Sequence, residues 1–369
     1  MTAGPFRLAA YALRDGLILS GFCATLALAR LLAGPLRRRV ALGLFISANK
    51  GLILAHDAPG ALRLRARILK ARDPRLKLFH RLGGAAARRL LAGAPERLRL
   101  YCWGYADIEI LGSDLSAPGR PVYRLETGLL GHGAAQGDAV VSYVLDTRAP
   151  YFDGRRPTDL EELLEAYPSG DWRRLPDTRR FVEEARESRF QKYAGIDAAL
   201  DAPVTAQDTV VVGQVSGDMA LQATTLAVPD NVSLVARAVA EAQGTGIWYK
   251  AHPFNRANAA ECAEIARRFP EVRMLGAGVS FAQVAHLRPT VYVLTSGAGL
   301  EAALRGCRVV CFGAAYYAGW GATEDRVSLP RRRNRLTAED IFFVTMHEYA
   351  RYFSRRTLET LPARAALSS

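Results

Sequence analysis

From Thr209 to Gly313 the sequence alternates short β-branched runs with helix-like stretches, and few folds accept that rhythm. "TVVVGQV" (209–215), "GIWYKAHP" (246–253), "VRML" (272–275), "TVYVLTSG" (290–297) and "RVVCFG" (308–313) read as strands. Residues 231–243, "AAECAEIARRF" (259–269) and "GLEAALRG" (299–306) read as helices between them. Continuously apolar strands need cover on both faces, and an intervening helix returns the chain for parallel pairing. The expectation is a doubly wound parallel sheet. Such sheets take ligands at the carboxyl ends of their strands. Three polar motifs fall there: "GQVSGD" (213–218), "YKAHP" (249–253) and "TSGAG" (295–299).

Each motif has a chemical reading and a plainer one. Ser296, Gly297 and Gly299 open a helix, where a hydroxyl and unpaired N–H groups can seat a phosphate; the plainer reading is an ordinary strand–turn–helix. Glu301, in the first turn of that helix, suits a ribose hydroxyl better than a phosphate. His252, held by Pro253, can hydrogen-bond or protonate a leaving phosphate, with Lys250 adding positive charge; otherwise it meets solvent. Asp218 follows a strand in a Gly-containing loop, and Glu126 ends the strand-like "VYRLETG" (122–128). A carboxylate from each side of a cleft serves glycosyl transfer, one as nucleophile or ion-pair partner and one in proton transfer. The alternative is that Asp218 caps a helix and Glu126 faces water. Tyr316, Tyr317 and Trp320 can wall a pocket or simply pack. His132 and His286 are isolated, so no metal site is expected.

The rest of the chain has another texture. Its net charge of +13 is concentrated at the start: residues 1–100 hold 19 Lys/Arg against 4 Asp/Glu, and the remainder is nearly balanced. The apolar run "GLILSGFCATLALA" (16–29), followed by Arg37, Arg38 and Arg39, is too short to span a bilayer. It reads as an interfacial helix on an anionic membrane or as a core helix. No nucleic-acid-binding signature accompanies the charge. The first hundred residues read as helical, with strands at "RLRLYCWG" (97–104), "VYRLETG" and "AVVSYVLD" (139–146). Leu160, Leu163 and Leu164 mark a helix capped by Thr158 with Glu161 three residues on, and residues 176–192 form another. Residues 194–208 read as a linker, which predicts domains at 1–200 and 201–369. Arg331, Arg332, Arg333 and Arg335 read as a solvated turn before a helix capped by Thr337 and Asp340. Five scattered cysteines without a C-x-x-C pair argue against disulfides and zinc and for buried thiols in a reducing cytoplasm.

"VYRLETG", "VVVGQVSGD", "YKAHP", "LTSGAGLEAALRG" and "YYAGWGATED", in that order, resemble the capsule polysaccharide biosynthesis family of retaining β-Kdo transferases. The resemblance runs from about residue 100 to about residue 350. It implies a GT-B fold: two Rossmann-like domains facing a cleft, with a helical N-terminal region and a C-terminal helix across the seam. It implies a CMP-Kdo donor and no metal or other cofactor. His252 and Ser296 match the residues that contact the CMP phosphate, with Gln214, Lys250, Gly297, Gly299 and Glu301 lining the same site. Asp218 matches the nucleophile and Glu126 the acid/base. The family's second acid is Thr127 here, its Phe-Leu-Arg-Ser continuation is "LLGHG", and "GQPFYAGWG" has become "GAAYYAGWG". The implied partners are a lipid-linked or polysaccharide acceptor, the inner face of the inner membrane and other capsule-assembly proteins. The implied location is cytoplasmic and peripheral to that membrane. The Thr127 replacement keeps open a non-catalytic role in capsule assembly or export.

Overall fold

The computed structural model describes residues 43–47, 51–55, 99–105, 122–132, 140–188, 198–242, 246–354 and 359–367. The apolar run 16–29 and the arginines after it lie outside the described residues. The chain divides into two compact units, one of Met1–Glu126 with Leu145–Pro150, the other of Thr127–Val144 with Tyr151–Ser369.

In the first unit, β1 (Gly43–Ser47) pairs antiparallel with β2 (Gly51–Ala55) and parallel with β3 (Arg99–Trp103). The start of β4 (Val122–His132) runs parallel to β3, with Trp103 opposite Leu125. The helical reading of the first hundred residues therefore fails at β1 and β2. "GLFIS" and "GLILA" are short apolar runs behind glycines, and length rather than helical spacing decides such runs.

The second unit contains the expected parallel sheet. Its strands are β6 (Thr209–Val212), β7 (Ile247–Lys250), β8 (Val272–Leu275), β9 (Thr290–Val293), β10 (Val309–Cys311) and the short β11 (Glu324–Asp325). They lie in the order β11-β10-β9-β6-β7-β8, all parallel. Alternate residues enter opposite cores, as the strand period requires. Val210, Val212, Trp248, Val291, Val293 and Val309 join one apolar cluster. Val211, Tyr249, Tyr292 and Val310 join the other. Leu234, Val235, Ala238 and Ile265, from the helices Asn231–Glu241 and Asn258–Arg268, complete the latter.

The helices before β6 follow their local signals. In α1 (Asp159–Ala166) the Thr158 hydroxyl accepts from the Glu161 N–H at 3.0 Å; Leu160 and Leu164 are buried and Leu163 faces solvent. α2 spans Pro176–Glu187. After β6 come α3 (Met219–Gln222), α4 (Asn231–Glu241), α5 (Asn258–Arg268), α6 (Phe281–His286), α7 (Ala298–Leu304) and α8 (Ala338–Phe343). Thr337 and Asp340 form a reciprocal capping box on α8, and Asp340 also accepts from Ser169 and Gly170. Phe342 of α8 stacks on Phe181 of α2 at 5.5 Å. A strand after α8, β12 (Arg351–Ser354), pairs antiparallel with β5 (Val140–Asp146).

Arg333 and Arg335 are exposed, as a solvated turn requires, but Arg332 and the contacts of Arg331 depart from that expectation. Arg332 is buried, donating to the carbonyls of Ala315 and Ala318 and to Glu161. Arg331 donates to Glu161 and to the carbonyls of Gly154, Arg155 and Arg156. The loop after β10 turns its carbonyls inward, and a guanidinium supplies several donors at fixed geometry. Cys102, Cys307 and Cys311 are buried and Cys262 is half-buried, all as free thiols. Cys23 lies outside the described residues.

Candidate functional site

The sheet winds from β6 through β7 to β8 in one direction and from β9 through β10 to β11 in the other. The reversal lies between β6 and β9, the place where sheets of this kind take their ligands beyond the strand ends. "GQVSGD" follows β6, "TSGAG" follows β9 and "YKAHP" ends β7, so all three motifs sit on neighbouring strands at one edge.

The Gln214 side chain crosses the reversal point. Its Oε1 accepts from the Thr295 N–H at 3.2 Å and the Thr295 hydroxyl at 3.1 Å. With that oxygen engaged, Nε2 faces Asp218 Oδ2 at 3.5 Å. Gln214 is buried, and its main chain is fixed on both sides by Asn231: the Gln214 N–H donates to Oδ1 at 3.0 Å, and Nδ2 donates to the Gln214 carbonyl at 2.8 Å.

Asp218 realises the capping alternative. It is the N-cap of α3, and Oδ1 accepts from the Ala220 N–H at 3.2 Å. Gly217, at φ +76°, supplies the left-handed turn that presents it.

Lys250 is only 4% exposed at the end of β7. Its ammonium donates to the Ala277 carbonyl at 3.4 Å, a long bond for a group with three donors. Burial pulls its pKa down to about 8, against the opposing charge of Glu301. Glu301 is buried in the first turn of α7, and its field also acts on Arg305. It is thus a counter-charge to two buried cations.

His252 Nδ1 accepts from the Phe254 N–H at 3.1 Å, so the neutral ring carries its proton on Nε2. The Asn258 side chain donates to the His252 carbonyl at 2.6 Å. Ser296 serves its own turn: the Ala298 N–H donates to Oγ at 3.4 Å and the Gly299 N–H to the carbonyl at 3.0 Å. Gly297 is the N-cap of α7. Gly299 is required by packing, because a Cβ there would lie 2.6 Å from Tyr317 Cζ and closer still to its hydroxyl. That hydroxyl donates to the Ser296 carbonyl. Tyr316, Tyr317 and Trp320 are buried and belong to the core rather than to a pocket wall. A cavity of about 250 Å³ lined by Gly154, Arg155, Thr225 and Arg331 touches none of the three motifs.

Glu126 is half-buried in β4 and ends the first of the two segments that make up the first unit. Within the second unit, then, Gln214 brings Asp218 together with the turn that begins at Thr295, and Lys250 shares a field with Glu301. Asn231, Asn255, Glu261 and the 58% exposed Phe254 escaped sequence reading, and Thr295 entered it only as the first residue of "TSGAG". The one available signal was position, since Phe254 and Asn255 directly follow the His-Pro pair. Among the described residues no three His, Cys, Asp or Glu side chains gather to hold a metal ion, and no helix is long and apolar enough to cross a membrane.

A doubly wound parallel sheet with polar loops gathered at its reversal point defines an α/β domain of the class whose ligands bind at the carboxyl edge. Residues 178–353, just under half of the chain, match the family model described as "Capsule polysaccharide biosynthesis protein". The chain is 27% identical over 253 residues to the capsule polysaccharide modification protein LipA of Neisseria meningitidis serogroup B, covering 67% of this chain and 35% of LipA. It is 30% identical over 264 residues to the lipopolysaccharide-processing protein LpsZ of Rhizobium meliloti, covering 68% of this chain and 58% of LpsZ. The chain thus spans about a third of LipA and under two thirds of LpsZ. Among solved structures, the beta Kdo 2,7 transferase of Thermosulfurimonas dismutans KpsC superposes with a TM-score of 0.58 at 25% identity, over 73% of this chain and 83% of that one. The KpsC beta Kdo 2,4 transferase gives 0.60 at 23%, over 74% and 87%, a likeness of fold.

Proposed function

We propose that this chain is a glycosyltransferase of capsule or surface polysaccharide synthesis, using a CMP-activated acidic sugar, Kdo first, without a metal. The observation that carries the reading is the Gln214 side chain at the sheet's reversal point, between Asp218 and Thr295. The likeness to the KpsC beta Kdo 2,7 transferase supplies the substrate class.

In this mechanism the Asp218 carboxylate attacks the anomeric carbon as the bond to the phosphate oxygen breaks. CMP leaves with the electron pair. Lys250 and the Nε2–H of His252 meet the charge growing on the phosphate, and the Ser296–Gly299 turn seats it. The acceptor hydroxyl then attacks the glycosyl ester, gives its proton to Glu126 and frees Asp218. Two inversions leave the configuration retained. This requires Glu126 and Asp218 to face one cleft of a GT-B pair of domains, with the C-terminal helix across their seam. Glu301 holds a ribose hydroxyl. The basic N-terminal region keeps the protein at the cytoplasmic face of the inner membrane, beside a lipid-linked acceptor and other assembly proteins.

A second reading, a non-catalytic family member in capsule assembly or export, is favoured by Thr127, which stands where the family has its second acid. The test is CMP release from CMP-Kdo generated in situ, with a Kdo-terminated glycolipid acceptor. Acceptor-dependent release that Asp218→Ala abolishes supports the transferase. CMP binding without release, across a panel of acceptors, selects the second reading. Absence of both overturns the donor.

A further inference from the structure

Glu261, in the first turn of α5, belongs to none of the three motifs, yet their scaffolding converges on it. Oε1 accepts from the Tyr249 hydroxyl and from Asn255 Nδ2 at 3.4 Å. Oε2 accepts from Asn231 Nδ2 at 2.9 Å and the Ser216 hydroxyl at 3.2 Å. These four donors come from β7, the loop after β7, the start of α4 and the loop after β6. An ionised carboxylate is the side chain that accepts at two oxygens and donates at neither.

The amide partners cannot turn to suit another residue. Asn231 Oδ1 already accepts from the Gln214 N–H while its Nδ2 also serves the Gln214 carbonyl. Asn255 Oδ1 accepts from the N–H groups of Ala257 and Ser216. Both Nδ2 groups are therefore committed to face Glu261, and the Ser216 main chain hangs from the same Asn255. One carboxylate thus ties the loop bearing Gln214 and Asp218 to the loop that follows His252.

We propose that Glu261 is a positioning residue that holds these two loops in register for the nucleotide. This rests on the reading that the loops hold the donor. Glu261→Gln offers one acceptor oxygen in place of two and turns its own N–H groups toward a committed amide donor. The loops lose their tie while the sheet beneath them stays intact.

The test is Glu261→Gln with two readouts. Hydrogen exchange of peptides covering 213–218 and 252–257 is compared with that of β9 and β10. CMP affinity is measured by calorimetry, where stoichiometry reports the folded fraction and Kd reports site geometry. The expected result is exchange about tenfold faster in the two loops, unchanged protection of β9 and β10, and a Kd about tenfold weaker at unchanged stoichiometry, the loss of about 1.4 kcal/mol. Tyr249→Phe, which removes one donor and keeps the ring, is expected to shift the same peptides less and guards against failure of Glu261→Gln to fold. Unchanged loop exchange in either folded variant overturns the proposal. So does a wild-type Kd, or a lower stoichiometry at wild-type Kd. If wild-type protein binds no CMP the donor reading falls, and the exchange readout alone decides whether Glu261 ties the loops.

Discussion

Lys250 gives the sharpest test of the site, because its burial works against the fold. Its pKa stands at about 8 in the folded protein, against an ordinary 10.5, with burial the largest cause and Glu301 opposing it. At about 1.36 kcal/mol per pH unit, that difference is about 3 kcal/mol. Below pH 8 the folded and unfolded states are both protonated, and the folded state carries the whole penalty. Between about 8 and 10.5 the unfolded state binds more protons, so stability rises with pH. Lys250→Met keeps a long unbranched chain, removes the charge, and leaves Glu301 beside Arg305. Urea unfolding followed by tryptophan fluorescence is expected to show the variant about 2–3 kcal/mol more stable at pH 7, with the gap closing toward pH 10.5. CMP binding is expected to be lost in the same variant, and in the wild type to weaken as pH rises through 8. A site that stores instability to meet an anion behaves in this way. A variant no more stable than wild type at pH 7, or a gap that stays constant with pH, refutes the reasoning.

Gly299→Ala drives a methyl group into the buried Tyr317 ring and its bond to Ser296; we expect a loss of about 1–3 kcal/mol, read as a melting temperature lower by about 3–10 °C. Asp340 is buried, which acts to raise its pKa, but hydrogen bonds from Ser169, Thr337 and Gly170 hold it below the ordinary 3.8. Its contribution is present above that value and is lost as pH falls through the folded pKa. Asp340→Asn should therefore cost about 1.5–3 kcal/mol at pH 7 in urea unfolding, with the difference narrowing in acid. Asp218→Ala should abolish acceptor-dependent CMP release while lowering stability by about 1 kcal/mol for the lost cap. Burial pushes the Cys307 thiol up to about 11, so an aromatic disulfide reagent at pH 8 should leave it unmodified until urea is added.

The sequence made legible what depends on neighbours along the chain. Five of the six parallel strands were visible because runs such as "TVVV" are apolar on both faces, and the caps at Thr158 and Thr337 because a cap and its partner lie three residues apart. Illegible were the contacts set by distant partners. Gln214 reaches Thr295, Asn231 reaches Glu261, and Arg332 reaches Glu161 across 171 residues. Gln214 is named by the resemblance, but nothing local to it, to Asn231 or to Arg332 announces the partner that the fold brings to it. β1 and β2 were missed because their apolar runs carry no length that separates strand from helix.

Asp218 shows why residue type outlasts conformation as a guide to function. Its carboxylate caps α3, which taken alone reads as a structural role. A cap is worth about 0.5–2 kcal/mol. Releasing it before attack would slow the reaction by at most about 30-fold, at 1.36 kcal/mol per tenfold, whereas enzymes lower their barriers by about 8–23 kcal/mol. A four-residue helix opened by Gly217 is a weak holder, and Gln214 already stands against the other oxygen. The cap therefore does not count against a nucleophile. What separates the transferase from the non-catalytic reading is Thr127, because in the proposed mechanism it leaves Glu126 as the one acid of the pair. Wild-type acceptor-dependent CMP release decides between them, and Glu126→Gln then tests the proton transfer: loss of release with CMP affinity unchanged assigns it to Glu126, and undiminished release removes Glu126 from the mechanism.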